Sequence, residues 1–327
     1  MIRRKIAGRD LNAIGLGCMG MSIAYGEPMN EADAVKLLHE ALDLGVDHFD
    51  TAELYGFGAN EALLGAAVHD RRDKAYIATK FGPVGDLATR TVRGVDGSEE
   101  NMRRAIEQSL RFLKTDHVDL YYLHRKDPAR PIEETVGAMA KLVQEGKVKA
   151  LGLSEVNADS LRRARAVHPI AAVQWEYSIF TRDIEKEVLP LCEQTGTAVV
   201  AYSPLGRGML TGPFTRDHKP EAGDYRSAVS PRFQGDAYEA NLALVEEIEK
   251  LAKGKGANAS QVALAWALAA SESVVTIPGT TKLANLKSNL GAADVKLTAE
   301  ERASLNALAA KVAGERYDER GMTLVNA

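Results

Sequence analysis

The sequence has few cysteines, no excess of basic residues and no long apolar run. Its two cysteines, Cys18 and Cys192, lie far apart and in no metal-binding spacing, which excludes a disulfide framework and favours a reducing compartment. A formal net charge of −4 argues against a protein surface that binds nucleic acid or an anionic membrane, because such a surface is basic. No stretch approaches the roughly 20 apolar residues of a membrane span. The sequence therefore predicts a soluble, cytoplasmic protein with no metal site and neither a membrane nor a nucleic acid as partner.

What the chain does have is a regular alternation of strand and helix patterns. Short apolar runs, of the kind found in parallel strands covered on both faces, recur eight times, each before a helical pattern. The strands are predicted at residues 13–18, 48–51, 75–80, 118–124, 148–153, 171–175, 198–201 and 274–277. The helices are predicted at residues 32–44, 60–68, 98–113, 132–144, 158–166, 184–194, 237–253, 260–270, 283–290 and 299–312. This order predicts an α/β fold, a (β/α)8 TIM barrel with extra C-terminal helices.

Four further segments lie outside this alternation. Residues 1–12 are predicted as an N-terminal hairpin that turns at Ala7-Gly8-Arg9-Asp10. A glycine-rich insertion runs from Gly82 to Gly97, and a polar loop from Gly206 to Gly235 is long enough to act as a lid. The chain ends in a polar tail after residue 312. No linker-like segment divides it, so residues 1–327 are expected to form one domain.

The main alternative fold is an open, doubly wound sheet that binds a dinucleotide. Gly15-x-Gly17-x-x-Gly20 matches the glycine pattern of that fold. The pattern requires a helix that opens at its last glycine, but the chain continues from Met21 to Pro28 without a helical pattern. We therefore reject this alternative.

Ionisable residues follow three neighbouring predicted strands. Asp50 ends the second strand, Tyr55 lies in the loop after it, Lys80 ends the third strand and His124 ends the fourth. The C-terminal ends of barrel strands meet on one face, where the chemistry is done. Each residue alone has a simpler explanation, such as a solvated lysine, a helix cap or the start of a polar loop. Four complementary groups on consecutive strand ends instead indicate an active site.

The chemistry of this set points to a general acid. An ammonium near a phenol lowers its pKa from about 10, so Lys80 can tune Tyr55, and Asp50 can keep Lys80 charged and in place. His124 can hydrogen-bond a carbonyl oxygen or relay a proton. A tyrosine tuned in this way can protonate an oxygen that gains negative charge, such as a carbonyl oxygen during hydride addition.

Asp50-x-x-x-x-Tyr55, Lys80 and His124 resemble the catalytic tetrad of the aldo-keto reductase superfamily, and their spacings are similar to those of that family. The resemblance extends from Ile14 to Asn289 and is strongest for the branch with the run from Ala201 to Gly208. It implies an NADPH-dependent carbonyl reductase. Tyr55 would be the general acid, Lys80 would lower its pKa, Asp50 would pair with Lys80, and His124 would orient the carbonyl.

The second half of the barrel should hold the cofactor, NADPH or NADP+. A hydroxyl and a carboxamide at strand ends can clamp a nicotinamide carboxamide, a tyrosine ring can stack on it, and a glycine-rich loop or a helix start can hold phosphates. The residues assigned to NADPH by pattern and resemblance are Gly20, Met21, Ser154, Gln174, Tyr202, Ser203, Leu205, Gly206, Arg207, Gly208, Gly279, Thr280, Thr281, Lys282 and Asn289. The resemblance assigns Lys282 and its two threonine neighbours to the 2′-phosphate, which favours NADP over NAD.

Two positions depart from the family pattern. Many members have asparagine after the serine of the fifth strand, where this chain has Glu155, and many have glutamate where this chain has Ser288. The first departure puts a nicotinamide contact in doubt, and the second weakens the adenine contact of Asn289. The substrate pocket is predicted to be lined by Met21, Tyr25, Phe57 and Phe81, which favours an aromatic or medium-sized aliphatic carbonyl.

Two other functions fit parts of the pattern. A regulatory subunit on the same fold would bind NADPH but show almost no turnover of an aldehyde panel. An enzyme that uses Lys80 as a Schiff-base nucleophile would trap substrate on that lysine with borohydride. Asp50 and Tyr55 fit Schiff-base chemistry less well. The sequence does not predict self-association, and it does not identify the substrate.

Overall fold

The computed structural model describes residues 1–86, 91–212, 214–221 and 224–326. Within these ranges the strands are β1 Arg3–Ile6, β2 Arg9–Asn12, β3 Leu16–Gly17, β4 His48–Asp50, β5 Tyr76–Phe81, β6 Pro83–Asp86, β7 Thr91–Val95, β8 Val118–Leu123, β9 Val148–Ser154, β10 Ile170–Glu176, β11 Ala198–Tyr202 and β12 Val274–Thr276. The α-helices are α1 Glu31–Asp43, α2 Ala59–Val68, α3 Glu99–Leu113, α4 Ile132–Gln144, α5 Ala158–Val167, α6 Val188–Thr195, α7 Tyr225–Val229, α8 Gly235–Gly254, α9 Ala259–Leu268, α10 Leu283–Leu290, α11 Ala299–Ala309 and α12 Glu319–Met322.

Eight of the described strands form one parallel sheet that closes into a barrel. Its order is β3, β4, β5, β8, β9, β10, β11 and β12. The first and last strands meet beside Thr276, which accepts from the Gly15 N–H and donates to the Ala13 carbonyl, each at 2.8 Å. Helices flank the sheet on its outer side. The predicted (β/α)8 barrel is confirmed, as are all eight predicted barrel strands to within a few residues.

The glycines of the first strand serve the closure of the barrel. A side chain at Gly15 would lie 2.8 Å from the His48 carbonyl oxygen, and one at Gly17 would lie 2.8 Å from the Ile277 carbonyl oxygen. Real Cβ atoms do not come so close to backbone oxygens, so both positions need glycine. The pattern that resembled a dinucleotide fingerprint therefore reflects close packing of neighbouring strands, and the open-sheet alternative is excluded.

The N-terminal hairpin closes the bottom of the barrel. Ile6 and Leu11 are fully buried there, in the inner core of the barrel. The predicted four-residue turn is too long, because only Ala7 and Gly8 lie between the strands, at φ values of 50° and 79°. Two left-handed residues make the tight turn that suits a twisted hairpin, so Arg9 and the residue after it belong to β2.

Four further differences lie in the segments outside the barrel strands. The glycine-rich insertion contains an antiparallel hairpin of β6 and β7, whereas its residues 87–90 lie outside the described part of the chain. The long loop contains α7, the polar tail contains α12, and the helix predicted at 184–194 starts later, as α6. In the loop, residues 213, 222 and 223 also lie outside the described ranges. Among the described helices, none is long and apolar enough to cross a membrane.

Candidate active site

Lys80 is the centre of the site at the C-terminal end of the barrel. Its side chain is fully buried, and Nζ donates to Oδ1 of Asp50, to the Thr51 carbonyl at 2.7 Å and to the Tyr55 hydroxyl at 3.3 Å. An ammonium has three N–H donors, so each one is engaged. The imidazole of His124 lies edge-on to the Tyr55 ring, with 5.8 Å between the ring centroids. The structure thus brings together all four residues of the predicted tetrad.

The loop after β4 is built to hold Tyr55 beside Lys80. The three residues that follow Tyr55 all have left-handed backbones, with φ values of 63° at Gly56, 51° at Phe57 and 95° at Gly58. A Cβ atom at Gly58 would lie 2.2 Å from the ring of Phe112, so a larger residue would have to displace that ring as well as adopt the left-handed backbone. This tight turn leads directly into α2, which fixes the position of the phenol relative to the strand ends.

Burial outweighs the ammonium in setting the acidity of Tyr55. Burial raises the pKa of Tyr55 above its ordinary value of 10, and the charge of Lys80 offsets only part of that rise. Burial acts in the opposite direction on Lys80, but the Asp50 carboxylate and the phenol raise its pKa above 10.5. Lys80 therefore lowers the pKa of Tyr55, as expected. Burial raises it by more, so the net pKa of the phenol lies above its ordinary value. Tyr55 stays protonated near neutral pH.

His124 is held neutral. Its main-chain N–H donates to the Phe81 carbonyl at 2.8 Å, which fixes it at the end of β8. Burial, together with the positive charges of Arg125 and Lys80, lowers the pKa of His124 well below 6.5. Its Nδ1 atom is buried and has no hydrogen-bond partner among the described residues. The residue as a whole is 9% exposed, and a neutral imidazole keeps one ring N–H that can donate to a substrate oxygen.

Gln174 and Ser154 reach the same site from the second half of the barrel. Nε2 of Gln174 donates to Oδ2 of Asp50 at 2.7 Å, which joins β10 to the tetrad. Oγ of Ser154 accepts from Arg125 at 3.2 Å. Trp175, the next residue after Gln174, is buried in the outer core, as strand alternation requires.

Tyr202, the last residue of β11, and Arg207, in the loop after it, each contact a buried carboxylate. The Tyr202 hydroxyl donates to Glu155 at 2.8 Å. Arg207, whose side chain is 4% exposed, donates through Nη2 to Glu176 at 2.9 Å, while its Nη1 has no partner among the described residues. Ser203, Gly206, Arg207 and Gly208 all have left-handed backbones, which makes this loop a tight concave turn around Leu205.

The predicted phosphate segment lies at the start of α10. Oγ1 of Thr280 accepts from the N–H of Lys282 at 3.0 Å, and Lys282 is the N-cap residue of the helix. The side chains of Thr281 and Lys282 are exposed, whereas Asn289 is buried near the end of α10. Gly279 precedes them and pairs with Gly17 of β3. The segment therefore presents a lysine and a helix N-terminus at the rim of the barrel.

Two predicted pocket residues lie elsewhere. Phe81 is fully buried and stacks on Tyr121 in the outer core, because it follows Lys80 in β5 and successive residues of a strand face opposite sides. Met21 is 1% exposed and packs into the same core, so its side chain lines no open surface. A Cβ atom at Gly20, beside it, would lie 3.6 Å from the ring of Tyr25. These positions correct the expectation that Phe81 and Met21 line the pocket.

Tyr25 and Phe57 lie at more open positions. The Tyr25 ring lies 4.8 Å from the guanidinium of Arg226, in the segment of the long loop that contains α7. Phe57 lines a groove of about 280 Å³, together with residues of the β6 hairpin and Arg104 of α3.

The sequence interpretation missed a group of buried charges around the second half of the site. Arg125 is partly buried and donates to Ser154, and Glu176 pairs with Arg207. Arg316, from the segment predicted as a polar tail, is 2% exposed and pairs with Glu155 at 2.8 Å. The position of Glu155, where a neutral residue was expected, was the only sequence signal for these partners.

The comparisons with known proteins agree with this geometry. The model of the Aldo/keto reductase family matches residues 13–310. A probable aldo-keto reductase 1 of Glycine max is 45% identical over 315 residues, which cover 95% of this chain and 89% of that protein. The chain therefore belongs to the aldo/keto reductase family, as the tetrad motifs predicted.

Solved structures of the same family resemble the fold closely. A glycerol dehydrogenase of Gluconobacter oxydans is 33% identical, with a TM-score of 0.86 over 97% of this chain and 98% of that chain. An aldo-keto reductase of Klebsiella pneumoniae in complex with NADPH is 28% identical, with a TM-score of 0.75 over 97% of this chain and 99% of that chain. The fold and family are thus shared along almost the whole length of the chain.

Proposed function

We propose that this protein is an NADPH-dependent reductase of small aldehydes or ketones. The observation that carries the proposal is the threefold contact of Lys80, which joins the Asp50 carboxylate and the Tyr55 hydroxyl beside a neutral His124. A protonated phenol held next to an ammonium is a general acid for an oxygen that gains negative charge. Two of the solved relatives support this proposal: one is a glycerol dehydrogenase, and the other is an aldo-keto reductase in complex with NADPH.

The donors around the second half of the site fit a dinucleotide with several phosphates. Arg207 carries a buried Nη1 that is unpartnered within the described chain, and such a donor needs an acceptor. Lys282 lies exposed at the N-terminus of α10, where an anion is favoured. In the proposal, Ser154, Gln174 and Tyr202 hold the nicotinamide end and the loop from Ser203 to Gly208 holds the pyrophosphate. Gly20 and Met21 contribute main-chain contacts only, Gly279–Lys282 hold the 2′-phosphate and Asn289 holds the adenine.

Bound NADPH would supply the hydride that adds to the carbonyl carbon. His124 donates a hydrogen bond to the carbonyl oxygen and sets its direction. Tyr55 then gives its phenolic proton to that oxygen as negative charge develops there. Lys80 stabilises the resulting phenolate, and Asp50, held by Gln174, keeps Lys80 in line. Tyr25 and Phe57 would contact the rest of the substrate, while Phe81 packs in the core.

The test is consumption of NADPH against a panel of aldehydes and ketones, with Tyr55→Phe as the matched control. We expect turnover by the natural protein and a loss of at least about a hundredfold in Tyr55→Phe, the range that a positioned general acid supplies. Full activity in Tyr55→Phe would exclude the mechanism. Binding of NADPH without turnover of any carbonyl would instead favour the regulatory role on the same fold.

The proposal includes a cytoplasmic location and a single barrel domain that carries the whole site. Cys18 and Cys192 are buried free thiols, which suits a reducing compartment.

A further inference from the structure

Residues 314–318, which we call the C-terminal strap, run back over the barrel mouth after α11. Arg316, in the middle of the strap, is 2% exposed. Its Nη1 and Nη2 atoms donate to the two carboxylate oxygens of Glu155, each at 2.8 Å. The guanidinium lies 5.3 Å from the ring centroid of Trp175. Arginine is almost never fully buried unless it is paired, so a bidentate pair buried this deeply indicates a specific role.

The strap reaches the Tyr202 ring by two routes. Glu155 accepts from Arg316 and, through the same Oε1 atom, from the Tyr202 hydroxyl at 2.8 Å. The Tyr317 hydroxyl lies 2.9 Å from the Tyr202 hydroxyl, within hydrogen-bond distance. The Tyr202 hydroxyl is therefore held by two groups. One is the Glu155 carboxylate, which Arg316 of the strap orients, and the other is the Tyr317 hydroxyl of the strap itself.

The strap also covers the loop that follows β11. The guanidinium of Arg207 lies 4.2 Å from the ring centroid of Tyr317, a cation–π contact. Glu176 holds the other side of Arg207 at 2.9 Å. Tyr317 thus contacts two of the residues that the proposed function places on the cofactor, Tyr202 through its hydroxyl and Arg207 through its ring face.

The backbone of the strap is bound to the segment around α7. The Asp318 N–H donates to the Val229 carbonyl at 2.9 Å, and Arg232 donates to the Gly314 carbonyl at 3.1 Å. The Ser230 hydroxyl donates to the Arg316 carbonyl at 3.3 Å. These bonds join the strap to the long loop, so movement of either one changes the contacts of the other.

We propose that the strap is a positioning element of the cofactor site, in which Arg316 acts through Glu155 and Tyr317 acts directly to hold Tyr202 and Arg207 in their binding geometry. This inference rests on the proposed function, because it assigns these two residues to NADPH. It also gives a role to Glu155, which replaces the asparagine of many relatives. The carboxylate orients the tyrosine and anchors the end of the chain.

The test compares Arg316→Met, Glu155→Gln and the double variant with the natural protein. The measurements are the dissociation constant for NADPH by fluorescence titration, kcat and KM separately, and hydrogen exchange of residues 225–233 without cofactor. We expect Arg316→Met to weaken NADPH binding by about tenfold to a hundredfold, as displaced contacts do, and to speed that exchange. The double variant should bind NADPH more tightly than Arg316→Met does, because it no longer contains the Glu155 carboxylate, which Arg316→Met leaves buried and unpaired.

Tyr317→Phe and Arg320→Met complete the design. Tyr317→Phe removes one hydroxyl but keeps the ring over Arg207, so a loss of a few-fold in NADPH affinity is expected. Arg320→Met changes an exposed residue of α12 and should match the natural protein in every measurement. Should Arg316→Met fail to fold, Arg316→Lys replaces it, and a partial loss of affinity is expected because lysine cannot make the bidentate contact.

A purely structural strap would give a different result. The melting temperature of Arg316→Met or Arg316→Lys would fall, while NADPH affinity, kcat and exchange of residues 225–233, all measured well below that temperature, would match the natural protein. That outcome overturns the inference. If the natural protein binds NADPH but reduces no carbonyl, the reductase proposal fails separately, and the affinity and exchange measurements still decide the role of the strap.

Discussion

The Gln174 amide and the Lys80 ammonium hold opposite oxygens of the Asp50 carboxylate. Gln174 donates to Oδ2 at 2.7 Å, and Lys80 donates to Oδ1. Asp50 is 2% exposed, so each oxygen depends on its protein partner. This relationship joins the two halves of the barrel, because the bonded residues are separated by 124 positions in the sequence.

Replacing Gln174 with methionine should lower kcat through the loss of this bond. A hydrogen bond to a charged group contributes about 1.5–3 kcal/mol, so kcat is expected to fall by about tenfold to a hundredfold. The measurement is kcat for carbonyl reduction at saturating NADPH. Gln174→Glu is the matched variant: its carboxyl can donate to Asp50 only while protonated, so its activity should fall further as pH rises. Natural activity in Gln174→Met would show that Lys80 alone positions Asp50.

The pH dependence of carbonyl reduction should be flat across the neutral range. Reduction needs the protonated phenol, and burial raises the pKa of Tyr55 above 10 despite Lys80, so the acid is lost only as pH rises beyond that value. His124 must be neutral, and its pKa lies well below 6.5, so this group charges only at still lower pH. We therefore expect kcat to stay constant between about pH 6.5 and 10.

The profile is measured with saturating substrate in mixed buffers, and samples held at each pH are re-assayed at pH 7 to detect irreversible unfolding. Lys80→Met removes the cation that opposes the rise in the Tyr55 pKa, so it should reduce kcat at every pH. A descending limb centred near pH 8 in the natural protein would contradict the raised pKa.

Glu61 should make the fold less stable as pH rises. This residue is fully buried in α2, accepts from Thr79 at 2.6 Å, and burial raises its pKa from 4.5 to about 7. The folded protein therefore binds this proton more tightly than the unfolded chain, so the proton's stabilising effect is complete below pH 4.5 and is lost as pH rises to 7. The full difference corresponds to on the order of 3 kcal/mol.

Glu61→Gln removes this titration. We expect the variant to exceed the natural protein in free energy of unfolding at pH 8 by up to about 3 kcal/mol and to match it near pH 4.5. Urea unfolding at both pH values is the measurement, and the exposed Glu272→Gln serves as control. Equal stability of Glu61→Gln and the natural protein at both pH values would refute the raised pKa.

Alanine substitutions at two glycines should change the stability of the fold in opposite directions. A Cβ atom at Gly152 in β9 would lie 2.4 Å from the ring of Tyr122, so Gly152→Ala should destabilise the fold by about 1–3 kcal/mol. Gly137 lies within α4, where a Cβ atom would meet only Val167 at 3.9 Å, so Gly137→Ala should stabilise it by about 0.5–1 kcal/mol. Thermal and urea unfolding measure both effects. A neutral Gly152→Ala would mean that the Tyr122 ring can move.

Local patterns predicted most of the framework. The predicted helix at 32–44 is α1, which Asn30 caps by accepting from the Asp33 N–H at 2.9 Å, and α4 spans the predicted residues. The hairpin of β6 and β7 was missed, because glycine and proline interrupt its short strands and weaken the alternating pattern. The same limit applies to α7 and α12, which are too short for helical periodicity to register.

The sequence by itself determined which residues end the barrel strands and in what order. Asp50, Lys80 and His124 had to meet, since parallel strand ends in a closed barrel share one face. Only the tertiary structure decided which groups they pair with and how burial acts on them. The net pKa of Tyr55 is set by the balance of desolvation against one nearby charge, and the burial of Arg316 depends on a distant carboxylate, Glu155. Both depend on distances between residues far apart in the chain, which local periodicity does not encode.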